Sequence, residues 1–286
     1  MKTINCRDVT KCVKKMCIEA NTRITPDVIK KIEYAQNTET YPLAKEIINQ
    51  ILENIEYSKR TKIPLCQDTG VAIIFAEIGQ DAVISGGNLS EAIQNGVKQG
   101  YEEGYLRKSM VFDPVTKRKN TNTNTPAIIY WDVVPGDKLS LRFTPKGGGS
   151  ENMSRISMLK PAQGKKGIEE FIIETVRLAG GNPCPPIILG VGIGGSFERC
   201  AYLAKKSLLK DLDKVNDDLK LAEWEEKIKD ECNKLGIGPM GLGGLNTVLG
   251  VSILWEPCHI ASLPVAVNIQ CHCARHQSVV LSGEEE

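Results

Sequence analysis

Apolar residues recur at helical spacing early in the chain. Leu43, Ile47, Ile48, Ile51, Leu52 and Ile55 line one face, and Lys45, Glu46, Asn49 and Glu53 fill the other. Upstream, Thr25-Pro26-Asp27 reads as a helix start, with proline at the first helical position and an acid in the first turn. The opening 60 residues are therefore expected to be helical. The pattern breaks at Lys62 to Gly70, and the apolar run Val71–Ile78 predicts a buried strand. Ser90 caps a predicted helix reaching about Leu106. Asn120 to Thr125, all Asn and Thr, predicts a loop of side-chain-to-backbone bonds. Ala127–Val134, the turn Pro135-Gly136-Asp137 and Lys138–Thr144 read as a β-hairpin.

Further on, a helix is expected from about Lys165 to Ala179, and Gly180 to Pro186 is irregular. Ile187–Val191 reads as a strand, a glycine turn follows, and a helix runs from Ser196 to about Leu209. Asp211–Leu235 is charged and helical in pattern, Leu235–Gly250 is glycine-rich, and Leu263–Ile269 is strand-like. No internal repeat or clear linker interrupts the series. The expected fold class is α/β, in the broad sense of mixed α+β, in a compact two-lobed unit.

Composition narrows the function classes. The chain has 286 residues, 41% hydrophobic and 25% charged, which suffices for a sizeable core. Lys and Arg number 36 against 35 Asp and Glu, so bulk attraction to nucleic-acid phosphates is not expected. No apolar run suits a membrane span, and the N-terminus lacks the apolar stretch of a secretory signal, so a cytoplasmic location is expected.

Ten cysteines stand against three histidines. In a long chain with no secretory signal they are expected as reduced thiols. Cys6, Cys12, Cys17, Cys200 and Cys232 sit in helical patterns and read as filler, while Cys258 is ambiguous. Cys66, Cys184 and the pair Cys271/Cys273 differ, because each lies in a Pro-, Gly- or polar-rich segment beside a strand-like run. Such loops are where scaffolds place reactive groups. Thiolates of this kind suit zinc, copper(I) or iron–sulfur centres, and the wide spacing does not choose among them. Asp68, Arg107, Lys108, Lys146, Arg275 and the glycines 147–149 add groups able to handle a small di-acid. Each also has a plain reading as a turn cap or solvated face.

Five segments, in order along nearly the whole chain, carry a resemblance. They are Pro64-Leu65-Cys66-Gln67-Asp68-Thr69-Gly70, Lys119 to Pro126, Lys146-Gly147-Gly148-Gly149-Ser150-Glu151-Asn152, Asn182-Pro183-Cys184-Pro185-Pro186 with Gly192-Ile193-Gly194-Gly195-Ser196, and Cys271 through His276. Together they resemble the α-type, iron–sulfur-dependent hydro-lyases, the family of two-subunit class I fumarases and L-tartrate dehydratases. The resemblance implies a [4Fe–4S] cluster held by Cys66, Cys184 and Cys271, with one iron left open. Arg275 selects Cys271 over Cys273 as the family's third ligand. By the same resemblance Asp68 is the acid–base group. Gln67, Arg107, Gly148, Gly149 and His259 would contact substrate, His259 having an equally plain structural reading.

The resemblance makes residues 1–286 one catalytic domain of the alpha-subunit type, without the swivelling C-terminal domain of single-chain relatives. It implies a beta subunit completing the active site, in an α2β2 assembly, with a small dicarboxylate as substrate. Reversible hydration of fumarate is the expected reaction, with L-tartrate dehydration as the alternative. Neither nucleic acid nor membrane is expected as a partner, and the chain alone is expected to be inactive.

Two rivals remain open at this point. Gly190-Val191-Gly192-Ile193-Gly194-Gly195 fits a dinucleotide-binding glycine pattern, with Asp211 and Asp213 at the distance of a ribose-binding acid. That reading needs a strand immediately after the helix, where the sequence is charged. The other rival is an iron–sulfur electron-transfer or structural metal protein, with four protein ligands such as Cys273 would complete.

Overall fold

The computed structural model describes residues Lys2–Glu285. In chain order the first elements are β1 (Lys2–Asn5), α1 (Cys6–Thr22), α2 (Pro26–Thr38), α3 (Pro42–Thr61), β2 (Val71–Gly79), β3 (Val83–Ser85) and α4 (Leu89–Glu103). Then come β4 (Ile128–Val134), β5 (Lys138–Lys146), the single turn α5 (Gly148–Glu151), β6 (Arg155–Leu159), α6 (Gly164–Ala179), β7 (Ile187–Gly195) and α7 (Phe197–Ser207). The series closes with α8 (Leu219–Asn233), β8 (Val248–Cys258), β9 (Leu263–Gln270), β10 (Gln277–Ser282) and β11 (Glu284–Glu285). The composition is mixed α and β, as expected. The chain divides into two compact units: one holds the segments up to Ile24, Tyr57–Gly148 and Arg275 onward, the other Thr25–Glu56 and Gly149–Ala274.

In the first unit, the Asn5 side chain caps α1 by accepting from the Arg7 N–H. Helices α1 and α4 bury Val9, Val13, Cys17, Ile93, Val97 and Tyr101 against Ile74, Ala76, Leu139, Leu141 and Phe143 of a four-stranded sheet. Its order is β10-β5-β2-β4, and a smaller sheet runs β11-β1-β3. Here the expected hairpin is corrected. β4 and β5 are joined by the Pro135–Asp137 turn, yet they do not pair: β2 lies between them, parallel to β4 and antiparallel to β5. Burial explains the insertion. Ala72 to Ala76 of β2 are buried and need a central position, whereas β4 is largely exposed and suits an edge. The turn passes over the end of β2 so closely that a Cβ on Gly79 would lie 2.2 Å from the Gly136 carbonyl oxygen.

The second unit is built on the sheet β6-β9-β7-β8. Helix α2 starts at Pro26, as its sequence signal predicts. Leu189, Val191 and Ile193 of β7 pack with α6 and α8 through Ile172, Val176, Trp224 and Ile228. The alternate residues Gly190 and Gly192 face α7. A Cβ on either would lie about 2 Å from the carbonyl oxygen of Ala204 or Cys200. The glycine pattern is thus a helix-packing surface, and β7 runs on through the expected glycine turn to Gly195. No strand follows α7 directly. Asp211–Asp218 forms turns closed by Asp211 and Asn216 side chains, α8 starts only at Leu219 behind its Asp218 cap, and the next strand is β8. That order removes the second strand a dinucleotide-binding unit requires. Among the described residues no helix is long and apolar enough to cross a membrane.

Candidate functional site

The Cys66 loop of the first unit is held from several directions. The Asp68 carboxylate accepts the Gly70 N–H at 3.0 Å through Oδ1 and the Gly148 N–H at 2.7 Å through Oδ2. Its orientation is therefore fixed by backbone, and the Gly148 N–H has a partner within the chain. The Asp68 carbonyl accepts from Arg275 Nη2 at 3.0 Å, and Arg275 Nη1 donates to Asn21 Oδ1. Arg275 is 2% exposed. The Tyr101 hydroxyl donates to the carbonyls of Thr69 and Gly70, and Asn124 Nδ2 also donates to Gly70. Burial pushes the Tyr101 phenol well above its ordinary range, so it serves as a neutral donor.

Asn124 is fully buried, with a left-handed backbone (φ 56°), and its Oδ1 accepts the Ser109 N–H. The Asn/Thr loop thus behaves as its composition predicts, with Asn120 Nδ2 bonded to the Lys108 carbonyl. Thr69 Oγ1 donates to the carbonyl of Arg107, whose side chain is exposed. Gln67 is exposed, and Cys66 and Asp68 are half-buried.

In the second unit, the register of β7 with β9 pairs Ile188 with Gln270. The segment entering β7, which carries Cys184, and the segment leaving β9, which carries Cys271, therefore lie at the same end of the sheet. They are joined directly. His272 Nδ1 donates to the Cys184 carbonyl at 2.9 Å, and the His272 backbone N–H reaches the same oxygen at 3.4 Å. Cys184 has φ 55°, a conformation that costs a non-glycine residue about 1–3 kcal/mol. The turn is further tied by Cys184 N–H to the Gly181 carbonyl and by Met240 N–H to the Pro185 carbonyl.

His259 is exposed on the turn after β8. Because Gly195 pairs with Cys258, this turn lies at the opposite end of the sheet from Cys184. The nine residues of β7 separate them by about 30 Å at the usual rise per residue. Gly149 is exposed, and Glu151 of the same segment is tied to Lys205 at 2.5 Å and Asn268 at 3.0 Å, anchoring the glycine run to α7 and β9.

None of the ten cysteines is in a disulfide, and their surroundings separate them. Cys17, Cys200 and Cys232 are buried in helices. Burial holds the Cys200 thiol at about 11 and the Cys232 thiol at about 12, and raises Cys17 further. Cys184 is exposed and Cys66 and Cys271 are half-buried, whereas Cys273 is buried. Among the described residues no three His, Cys, Asp or Glu side chains are arranged to hold a single metal ion. A cubane cluster makes a different demand, one thiolate for each ligated iron, and the exposed Cys184 and half-buried Cys271 thiols, on adjoining segments of one unit, are donors of the kind it takes. The residues that the sequence left unremarked are the holders, Tyr101, Asn21 and His272. Only the Asn/Thr composition around Asn124 gave a signal of this kind.

Thiols and a carboxylate on loops that lead into or out of buried strands define a mixed α/β protein whose reactive groups sit on braced irregular segments. The family model described as "Fumarate hydratase (Fumerase)" matches residues 10–280, and the chain belongs to that family. A relative from Methanocaldococcus jannaschii, named "Putative L(+)-tartrate dehydratase subunit alpha", is 40% identical over 272 residues, covering 93% of this chain and 95% of the relative. The L(+)-tartrate dehydratase subunit alpha of Escherichia coli K12 is 30% identical over 279 residues, covering 96% of this chain and 91% of the relative. The protein of that name from Escherichia coli UTI89 is 32% identical over 270 residues, with coverage of 93% and 88%.

Proposed function

We propose that this chain is the alpha subunit of a [4Fe–4S]-dependent hydro-lyase that interconverts fumarate and malate, with Cys66, Cys184 and Cys271 as cluster ligands. The observation that carries the reading is the direct tie between the Cys184 and Cys271 segments, two ligand positions 87 residues apart in sequence. The family match over residues 10–280 supports the reaction class. When bound, a cluster with one iron free of protein ligands supplies a Lewis acid for the substrate hydroxyl and carboxylate.

The chain's own residues supply the rest. Asp68, fixed by the Gly70 and Gly148 N–H groups, holds or delivers the proton at the hydroxyl oxygen that leaves as water. Arg107 is exposed and available to pair with a substrate carboxylate, and Gln67 beside Asp68 offers an amide to orient the substrate. The exposed Gly149 backbone offers a further polar contact. A beta subunit supplies the remaining groups, a reading supported by the relatives' names as alpha subunits. Cytoplasmic location and α2β2 stoichiometry belong to the same proposal.

Those names also favour a second reading, dehydration of L-tartrate, which shares the four-carbon dicarboxylate frame. A substrate panel on anaerobically reconstituted protein, with and without its partner subunit, separates the two. Turnover of malate and fumarate by the complex, with none by the alpha chain alone, is expected. Turnover of tartrate but not malate would replace the first reading by the second. Full turnover by the isolated chain would remove the partner from the proposal.

A further inference from the structure

We infer that His272 is a positioning residue that sets the backbone of Cys184 for cluster ligation, an inference that rests on the reading of Cys184 and Cys271 as ligands. Three observations meet at one carbonyl. The Cys184 backbone is left-handed at φ 55°, a state that L-residues seldom occupy without outside support. Its carbonyl oxygen receives two donors from one residue, the Nδ1–H and the backbone N–H of His272. His272 itself is buried at 8% exposure, which limits competition from water.

A carbonyl oxygen only accepts, so the 2.9 Å bond places the imidazole proton on Nδ1. The bond fixes the ring and the Cys184 peptide together. Because Cys271 directly precedes His272, the same clasp sets one ligand position relative to the other. Groups that orient metal ligands without touching the metal typically change metal retention when removed. The neighbouring Gln270 turns its Nε2 toward the Cys273 carbonyl, to which it donates at 3.4 Å.

The test compares three forms of the reconstituted complex. His272→Leu keeps ring-like bulk and the backbone N–H but removes the side-chain donor, whereas His272→Asn places an amide N–H near the former Nδ1. Iron and acid-labile sulfide per chain, the rate of iron loss to a chelator, the electron paramagnetic resonance spectrum of the reduced cluster and the melting temperature of the cluster-free protein are read together. His272→Leu is expected to lose iron about 10-fold faster with an altered spectrum, and His272→Asn to track the unmodified protein. Equal retention in His272→Leu, or equal lability in both variants, overturns the inference. Should His272→Leu fail to fold, His272→Gln, whose donor lies further out, takes its place: retention like the unmodified protein then overturns the inference. If the unmodified complex binds no cluster, the parent reading fails instead, whatever the variants do.

Discussion

The Asp68 loop and the Cys184 loop are both short irregular segments leading into buried strands, yet they are held in different ways. The first is braced by side chains from distant parts of the sequence: Tyr101 from α4, Asn124 from the Asn/Thr loop and Arg275 from the segment after β9. The second is held by main-chain turns and by an imidazole that follows a ligand position directly in sequence. A loop with several independent braces loses one with modest effect on its shape. A loop whose left-handed residue is bonded through its own carbonyl to a buried imidazole is expected to depend strongly on that donor. The difference teaches where to look for silent supporting residues: on remote helices for the carboxylate, and one residue from a ligand for the thiol.

The largest test of this contrast lies in the thiols themselves. Cys66→Ser and Cys184→Ser are each expected to abolish the iron-dependent absorbance of reconstituted protein. Cys232→Ser, in the core packing of α8, should leave it intact. Retention of a full cluster in Cys184→Ser would end the assignment. Next in size is Asp68→Asn, expected to lower kcat about 10²–10⁴-fold while iron content stays unchanged, as for loss of a proton-transfer group. Unchanged kcat would move acid–base work elsewhere.

Smaller effects probe the bracing. Tyr101→Phe removes the hydroxyl shared by the Thr69 and Gly70 carbonyls and should destabilise the fold by about 1–3 kcal/mol in denaturant titration. Because Asn124 still serves Gly70, activity should fall less than for Asp68→Asn.

The smallest expected effect is pH-dependent and belongs to the second unit. Burial alone would raise the Glu39 carboxyl, but the N–H groups of Tyr41, Leu245 and Thr40 and the Asn246 amide outweigh it and hold it below its ordinary value. A depressed carboxyl adds stability above its unfolded pKa, and that contribution is lost as pH falls through the folded value. Glu39→Gln should therefore be less stable than the unmodified protein at pH 7, with the gap narrowing as pH falls below the ordinary glutamate value of about 4.3 and closing once pH has passed the lower folded value. A gap independent of pH would contradict this account.

Much of the fold was legible because its periodicities are strong. Helix α3 follows from apolar spacing, α2 from the Pro26 start signal, and β2 and β9 from short apolar runs, whereas the short strand β1 lies where only helix was expected. The hairpin was misread because turn chemistry reports that a chain reverses, not whether another strand fills the space between. Only the burial of Ala72 to Ala76 distinguishes the two outcomes. β7 was cut short because its glycines carry the signature of a turn, whereas here they make room for α7. At the site, the reactive groups were legible as residue types in unusual surroundings. Their holders were not, since Tyr101 resembles any buried helical tyrosine and the His272 bond depends on the register of β7 and β9. The same register places His259 at the far end of the sheet, a separation that no spacing of residues reveals.

The interleaving of the two units has a bearing on how the polypeptide matures at the ribosome. The strand that completes the β5 edge, β10, and the guanidinium that grips Asp68 both follow β9 in the sequence. The sheet carrying β7 and β9 has all its strands by Gln270. In N-to-C order the strands of the thiol-bearing sheet are therefore all made before the Arg275 guanidinium, the last of the braces on the carboxylate loop.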